Sequence, residues 1–173
     1  ARRLDALAQE FVSFGASMVL DRQWEPAALE GVLFDADTRR KQLRDEMVAT
    51  QEELDWTVYV AFGLASKDEL VPMTDITAMA SEHRPFAIRM AQAAVAGLAT
   101  NYWFEAMNVA RTPEVPSSYS APMQSRLKRR LSLLASQPTL ALLESPEYKR
   151  KWEPITWSDD LDSACLLWLG YRL

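Results

Sequence analysis

The chain has 173 residues, a length that suits one domain with a substantial core. Hydrophobic residues make up 49% of it and charged residues 25%, as in ordinary soluble globular domains. Its 5 glycines are too few for barrels, sandwiches and phosphate-cradling α/β folds, and no glycine-rich nucleotide-binding motif occurs. The net charge of −5 has the wrong sign for a generic nucleic-acid binder, although one face of the protein could still be basic.

Signals for secretion, membrane insertion and disulfide formation are missing from the sequence. No apolar run approaches the roughly 20 residues that span a bilayer, and Asp5 and Glu10 interrupt any apolar core of a signal peptide. The single cysteine, Cys165, excludes an internal disulfide and suits a reducing cytoplasm, where we place the protein. Because the sequence starts without methionine and ends inside an apolar pattern, we expect a segment of a longer protein.

Apolar residues recur every three or four positions, which predicts an all-α fold, an irregular bundle of about six to eight helices. An amphipathic helix is predicted over residues 2–20, and an irregular connection over 21–37. The strongest pattern predicts a helix over 38–62, with Asp37 as its N-cap and Gly63 as its C′ residue. The apolar face predicted for this helix consists of Leu43, Met47, Thr50, Leu54, Val58, Ala61 and Phe62.

Prolines delimit the predicted helices of the second half. Pro85 begins a helix that Gly97 ends, and a further helical segment follows over 98–109. Residues 111–122 are predicted to form a flexible surface loop. Later helices are predicted over 123–136, over 139–144 and after the N-cap Ser158. We treat residues 1–173 as a single helical domain, or as one segment of a larger protein.

No arrangement of residues indicates a catalytic or metal-binding centre. His83, the only histidine, lies in a Ser-Glu-His-Arg-Pro stretch, which favours a solvated helix-start residue over a catalytic base or a ligand. Cys165 lies in an apolar run and is predicted to be a buried small hydrophobe. The acidic groups at 52–55 and 159–162 could hold a divalent cation, but a solvated helix face and a dipole-matched helix start explain them more simply.

Three groups of basic residues are the candidate binding sites. If they converge, they form a strip that contacts phosphates beside Tyr148 and Trp152. Otherwise they are ordinary solvated faces balanced by 24 acidic residues, the interpretation that composition alone favours. The first group opposes the dipole of its predicted helix, which calls for an external anion or for acidic side chains elsewhere in the fold. The candidate DNA contacts are Arg39, Arg40, Lys41, Arg44, Arg126, Lys128, Arg129, Arg130, Lys149, Arg150 and Lys151.

Two stretches resemble a known family. Residues 47–59, Met-Val-Ala-Thr-Gln-Glu-Glu-Leu-Asp-Trp-Thr-Val-Tyr, with Phe-Gly-Leu at 62–64, are similar to a helix of large adenine-specific DNA methyltransferases. Residues 143–154, Leu-Glu-Ser-Pro-Glu-Tyr-Lys-Arg-Lys-Trp-Glu-Pro, and a Trp-Leu-x-x-Arg-Leu ending at 168–173 are similar to a later region of the same enzymes. In this order, the stretches resemble the C-terminal helical region of PglX-type methyltransferases of BREX phage-defence systems, which are related to type IIG restriction-modification enzymes.

The resemblance implies a function for a longer enzyme. Such an enzyme transfers a methyl group from S-adenosylmethionine to the N6 atom of a flipped-out adenine. The catalytic Asn/Asp-Pro-Pro-Tyr/Phe motif is absent, because no two prolines are adjacent in this sequence. We therefore expect a non-catalytic helical region without a cofactor or metal of its own, which contacts the DNA backbone.

The partners implied by the resemblance are other domains of the same chain, the DNA backbone and proteins of the defence system, with no membrane. The alternative is a structural protein-interaction module that docks other domains or a partner without contacting DNA.

Overall fold

The computed structural model describes residues 2–22, 25–149 and 156–171. Within these residues the protein is all-α, as predicted, and contains no strand. Three short 3-10 helices, Pro26–Ala28, Lys67–Glu69 and Ser81–His83, accompany the α-helices. The α-helices are α1 (Arg2–Ser13), α2 (Ala16–Leu20), α3 (Leu29–Ala61), α4 (Pro85–Val95), α5 (Tyr102–Ala106), α6 (Ala121–Ser136), α7 (Pro138–Leu143) and α8 (Trp157–Gly170).

The described residues group into two compact units. One is formed within Ala1–Met47 and Pro154–Leu173, and the other within Val48–Glu153. Helix α3 contributes residues 29–47 to the first unit and residues 48–61 to the second. No helix in the described ranges combines the length and the hydropathy that crossing a membrane requires.

The core of the first unit lies where α2 packs against α8. Its buried members are Ala16, Leu20 and Ala164, and the partly buried Leu29, Leu33, Trp157, Leu161, Cys165 and Trp168 pack against them. Asp160, in the first turn of α8, accepts a hydrogen bond of 3.1 Å from the backbone N–H of Ala16 and so satisfies a donor at the start of α2. Cys165 packs against this core as a small hydrophobe but is partly buried, not fully buried as predicted.

Several predicted helix boundaries differ from the structure. Helix α3 begins at Leu29, so Asp37 lies inside the helix and is not its N-cap. The N-cap of α8 is Thr156, not Ser158, because the Thr156 hydroxyl accepts from the N–H of Asp159 at 3.2 Å. The helix predicted over 2–20 is divided into α1 and α2, and only α5 is helical within 98–109.

Glycine ends two helices, as predicted. Gly63 has a φ of 71°, in the left-handed region, and the N–H of Leu64 donates back to the carbonyl of Tyr59 at 2.8 Å. This is the hydrogen bond of a Schellman motif, which satisfies a carbonyl at the end of α3. Gly97, with a φ of 73°, ends α4 in the same way.

The buried face of α3 in the second unit is not the predicted one. Val58 and Phe62, predicted to face the core, are 50% and 78% exposed. Glu52 and Glu53, predicted to lie on a solvated face, are 0% and 4% exposed. The buried residues of this part of α3 are Val48, Ala49, Thr50, Glu52, Glu53, Trp56 and Tyr59. The predicted face is wrong because basic side chains from other segments neutralise the two glutamates in the interior.

Two apolar clusters support this charged interior. The first contains the buried residues Ala49, Met79, Met123 and Leu127, and the second contains Trp56, Tyr59, Leu134 and Leu140. Within the loop predicted over 111–122, Val115 and Tyr119 pack against the first cluster, and α6 begins at Ala121. The apolar clusters therefore hold α3, α6 and α7 at fixed positions around the acidic side chains of α3.

Candidate functional site

The ammonium group of Lys149 lies in the interior of the second unit against three carboxylates. Its Nζ atom is 2.5 Å from Oε1 of Glu144, 2.6 Å from Oδ2 of Asp55 and 3.2 Å from Oε2 of Glu52. The Lys149 side chain is only 2% exposed. Its ammonium group donates hydrogen bonds to Asp55 and Glu144 and forms an ion pair with Glu52.

Arg84, directly before α4, supplies a second cation to the same carboxylates. Its Nε donates to Oε2 of Glu52 at 2.9 Å, and its Nη2 lies 3.6 Å from Oδ2 of Asp55. The guanidinium also lies over the ring of Phe86, with its carbon 4.8 Å from the ring centroid. We call the following residues the Lys149 cluster: Glu52, Asp55, Arg84, Glu144 and Lys149.

Two aromatic residues of α3 donate hydrogen bonds to the Lys149 cluster. The indole N–H of Trp56 donates to Oε1 of Glu52 at 3.0 Å, and the hydroxyl of Tyr59 donates to Oε1 of Glu144 at 2.8 Å. Positions 52, 56 and 59 follow the helical spacing of four and three residues, which places them on one face of α3. The acidic and aromatic side chains of that face therefore form one polar, buried stripe.

Arg130 of α6 forms a second buried centre. Its Nη1 and Nη2 atoms donate to the two carboxylate oxygens of Glu53 at 3.0 and 2.7 Å, and Nη2 also donates to the carbonyl of Glu69 at 2.8 Å. The guanidinium carbon lies 4.5 Å from the centroid of the Trp56 ring. A guanidinium group that donates one hydrogen bond to each oxygen of a carboxylate forms a strong type of ion pair. We call the following residues the Arg130 cluster: Glu53, Glu69, Arg126, Arg129 and Arg130.

Burial and neighbouring charges shift the pKa values of the Lys149 cluster in different directions. Burial raises the pKa of Glu52, but attraction by the nearby cations, Lys149 first, outweighs burial and lowers this pKa to about 2. Burial, with repulsion from Glu52, raises the pKa of Glu144 to about 7, although Lys149 opposes the shift. Burial lowers the pKa of Lys149, whereas the surrounding carboxylates raise it and prevail. Glu52 and Lys149 are therefore held in their charged forms.

Two of the candidate DNA contacts in these clusters are almost completely buried. The side chains of Arg130 and Lys149 are 0% and 2% exposed, and each is paired with carboxylates of the protein. For these two residues the alternative of a solvated face is wrong. Within the described residues neither presents its charge at the surface, so the proposal of DNA contact below does not use them.

Arg40 is held inside the first unit. It forms an ion pair with Asp160, and its guanidinium carbon lies 4.6 Å from the ring centroid of Phe11 and 5.5 Å from that of Trp157. Because Asp160 also caps α2, one carboxylate links α2, α3 and α8. The Arg40 side chain is only 13% exposed.

The neighbours of Arg40 on α3 also have acidic partners. The Nη2 of Arg39 lies 2.7 Å from Oε1 of Glu10, and the Nζ of Lys41 lies 2.6 Å from Oδ2 of Asp37. These partners confirm the explanation that acidic side chains of the fold balance the first basic group. The group also lies well inside α3, so the helix dipole does not oppose it. Arg44 is partly buried.

The exposed cations of the second basic group lie on α6. Lys128 is exposed, and the Arg129 side chain is 51% exposed while its Nε donates to Oε1 of Glu69 at 3.0 Å. Arg126 is only 13% exposed, with its Nε 3.9 Å from Oε1 of Glu53. The candidate contacts Arg150 and Lys151, like Trp152 beside them, lie outside the described residues.

His83 is half-buried, not the solvated residue that the sequence predicts. Its Nδ1 atom lies 2.8 Å from the hydroxyl of Tyr119, and the two rings meet edge to face with centroids 5.5 Å apart. Burial lowers the pKa of His83, although Glu82 opposes the shift. This contact ties the loop before α6 to the start of α4.

The comparisons with known proteins concern most of the chain. Residues 47–173 match the family described as "Domain of unknown function (DUF7008)". The chain belongs to the DUF7008 family. It is also 33% identical over 174 residues to the adenine-specific methyltransferase PglX of Streptomyces coelicolor, strain ATCC BAA-471 / A3(2) / M145, and the alignment covers 98% of this chain. The same alignment covers 14% of that relative, so this DUF7008 chain spans a small part of its length. No solved structure matches the chain.

The two stretches that carry the resemblance to PglX-type enzymes meet in the interior of this DUF7008 chain. Residues 47–59 provide Glu52 and Asp55, and residues 143–154 provide Glu144 and Lys149. This site was not predicted from the sequence. Its signal was the spacing of an acidic and two aromatic residues on one helical face, which is unusual for a solvated surface.

Proposed function

We propose that this chain is a non-catalytic, helical scaffold region of an adenine-specific DNA methyltransferase. The similarity to PglX supports the enzyme class. The Lys149 cluster supports the structural role, because the ionisable side chains of both stretches pair with one another in the interior. Groups engaged in this way hold segments together; they do not activate a substrate. In this role the cluster fixes α3, the start of α4 and the segment after α7 to one another.

The chemistry of methylation would belong to other parts of such an enzyme. S-adenosylmethionine would be the cofactor of the longer protein, and this chain would contribute no cofactor contact. We place that enzyme in the cytoplasm, in BREX-type phage defence or in restriction-modification, with the other domains of the same polypeptide as the first partners of this region.

A methyl-transfer assay tests the non-catalytic role. The purified chain is incubated with radiolabelled S-adenosylmethionine and adenine-containing duplex DNA, and the Streptomyces coelicolor relative serves as the positive control. We expect labelled DNA with the relative and none with the chain, and no photocrosslinking of the cofactor to the chain. Label transfer by the purified chain would overturn the proposal.

Contact with the DNA backbone is the second part of the proposal. Lys128 and Arg129, on the exposed side of α6, support it, because exposed cations on one helix are suited to phosphate contact. Lys41, at 63% exposure, and the partly buried Arg39, Arg40, Arg44 and Arg126 are weaker candidates, since acidic residues already engage most of them.

Fluorescence anisotropy with duplex DNA at several salt concentrations tests this contact. Each neutralised phosphate contributes about 0.9 to the slope of log affinity against log salt. We therefore expect Lys128→Ala with Arg129→Ala to reduce the slope by about 2. The matched control, Lys67→Ala with Arg111→Ala, removes two exposed cations elsewhere and should leave the slope unchanged. Equal effects of the two pairs, or no binding, would remove DNA contact and leave the scaffold role.

A protein-interaction module without DNA contact is the alternative function. Exposed apolar residues near the end of α8 favour it: Leu166 at 73%, Leu167 at 60%, Leu169 at 50% and Tyr171 at 88% exposure. Sedimentation velocity at increasing concentration tests it. Self-association that Leu166→Gln with Leu169→Gln abolishes would favour a docking surface, and a monomer at every concentration would count against it.

A further inference from the structure

Glu144 is the least compensated carboxylate of the Lys149 cluster. In the part of the chain that the structure describes, the donors to Glu144 are Tyr59 and Lys149, and both reach the same oxygen, Oε1. Its Oε2 atom is buried and has no hydrogen-bond partner among the described residues. A carboxylate oxygen that is removed from water without a donor is costly.

The other two carboxylates of the cluster are better stabilised. Glu52 accepts the indole N–H of Trp56 on one oxygen and lies 2.9 Å from Arg84 and 3.2 Å from Lys149 on the other. Asp55 accepts from the side-chain amide of Gln51 at 2.8 Å, and its side chain is 22% exposed to solvent. Negative charge is therefore easier to hold at either of these positions than at Glu144.

The formal charges of the cluster do not balance when all its groups are ionised. Glu52, Asp55 and Glu144 are three acids, whereas Arg84 and Lys149 are two bases. Arg130, a further cation that also lowers the pKa of Glu52, is engaged in a bidentate pair with Glu53. One additional proton would make the cluster neutral, and neutrality is strongly favoured in a buried site.

We propose that the Lys149 cluster binds one exchangeable proton near neutral pH and that the proton is carried by Glu144. Among the described residues, Tyr59 and Glu52 of α3 and Lys149 of the segment after α7 act directly on Glu144. Asp55 of α3 pairs with the same Lys149, and Arg84 before α4 lies beside Asp55. Glu144 with its proton keeps its hydrogen bonds to Tyr59 and Lys149 through Oε1. The direction of its pKa shift agrees with this assignment.

Loss of this proton would weaken the contacts between α3 and the segment after α7. Ionised Glu144 adds a net negative charge beside Glu52 and competes with it for the ammonium of Lys149. The segment that carries Glu144 and Lys149 is joined to α3 through these pairs. The attachment of the second shared stretch to the first therefore weakens as the pH rises through neutrality.

Infrared spectroscopy of the full chain, labelled with ¹³C at the glutamate carboxyl carbon, tests the proposal directly. Above about pH 6 ordinary carboxyl groups are ionised, so a remaining protonated-carboxyl band identifies a group of raised pKa. We expect this band to disappear as the pH rises towards about 9, to be absent in Glu144→Gln, and to persist in the exposed control Glu114→Gln. A spectrum without such a band, or a band retained in Glu144→Gln, would overturn the assignment.

A second variant keeps the test decisive if Glu144→Gln does not fold. Tyr59→Phe removes a donor that stabilises the ionised carboxylate. The protonated-carboxyl band of the Tyr59→Phe variant should therefore persist to higher pH than that of the wild-type chain. An unchanged midpoint would show that the titrating carboxyl is not the one bound to Tyr59.

Discussion

The Nζ atom of Lys149 lies 2.6 Å from Oδ2 of Asp55, although 94 residues separate the two in the sequence. This pair joins the two stretches by which the chain resembles PglX-type methyltransferases. Because both side chains also contact other members of the Lys149 cluster, the stretches depend on each other structurally. These contacts should therefore contribute both to the stability of the chain and to its pH dependence.

Lys149→Met should strongly destabilise the chain, because it leaves Glu52 and Glu144 buried without their shared cation. Removing one partner of a buried ion pair typically costs about 3–5 kcal/mol. Urea unfolding followed by circular dichroism measures this change. Lys128→Met, at an exposed position of α6, should change the free energy of unfolding by about 0.5 kcal/mol or less. Equal losses in the two variants would contradict a structural role for the Lys149 cluster.

The double variant Arg130→Met with Glu53→Leu should lose less stability than the sum of the losses in the two single variants. Each single change leaves one buried charge unpaired, whereas the double change removes both charges of the bidentate pair. A double-mutant cycle should therefore give a coupling energy of about 1–3 kcal/mol. Additive effects would show that the pair is not coupled.

Glu52→Gln should make stability less sensitive to acid. The neighbouring cations overcome burial and lower the pKa of Glu52 in the folded protein from its ordinary 4.5 to about 2. Ionised Glu52 therefore contributes stability that is present above pH 4.5 and is lost as the pH falls towards about 2.

The free energy of unfolding, measured by urea titration across this acid range, checks the prediction. The Glu52→Gln chain should be less stable at neutral pH and lose less stability on acidification than the wild type. Glu30→Gln, at an exposed position of α3, should keep the wild-type slope. A wild-type slope in Glu52→Gln would show that another carboxyl group controls acid unfolding.

Arg40→Lys should destabilise the first unit although the charge is kept. The guanidinium of Arg40 contacts Asp160 and lies over the rings of Phe11 and Trp157, and an ammonium cannot stack on two rings in this way. We expect a loss of about 1–2 kcal/mol in thermal or urea unfolding. Lys41→Ala, in an exposed pair of α3, should cost only about 0.5 kcal/mol. A neutral effect of Arg40→Lys would mean that charge alone matters there.

Sequence patterns predicted the elements of this fold better than their buried faces. Gly63 and Gly97 end helices because each adopts the left-handed backbone that glycine accommodates, and Pro85 begins α4 where its missing N–H costs nothing. These are local effects, so the sequence alone reveals them.

The buried face of α3 depends on residues far away in the chain. Glu52 and Glu53 enter the interior because Arg84, Lys149 and Arg130 meet them there. Hydrophobic periodicity counts such glutamates as solvated, and it therefore predicted Val58 and Phe62 to be buried instead. The same reasoning placed Arg130 and Lys149 on the surface.

The indole of Trp56 touches both buried centres, since its N–H donates to Glu52 and its ring lies against the guanidinium of Arg130. A substitution that removes or reverses the charge at position 52 or 130 leaves a buried partner without its hydrogen bond or ion pair. Substitutions at the positions of each buried cluster are therefore expected to occur together among DUF7008 chains. Positions 52, 84, 144 and 149 should covary as one group, and positions 53 and 130 as another.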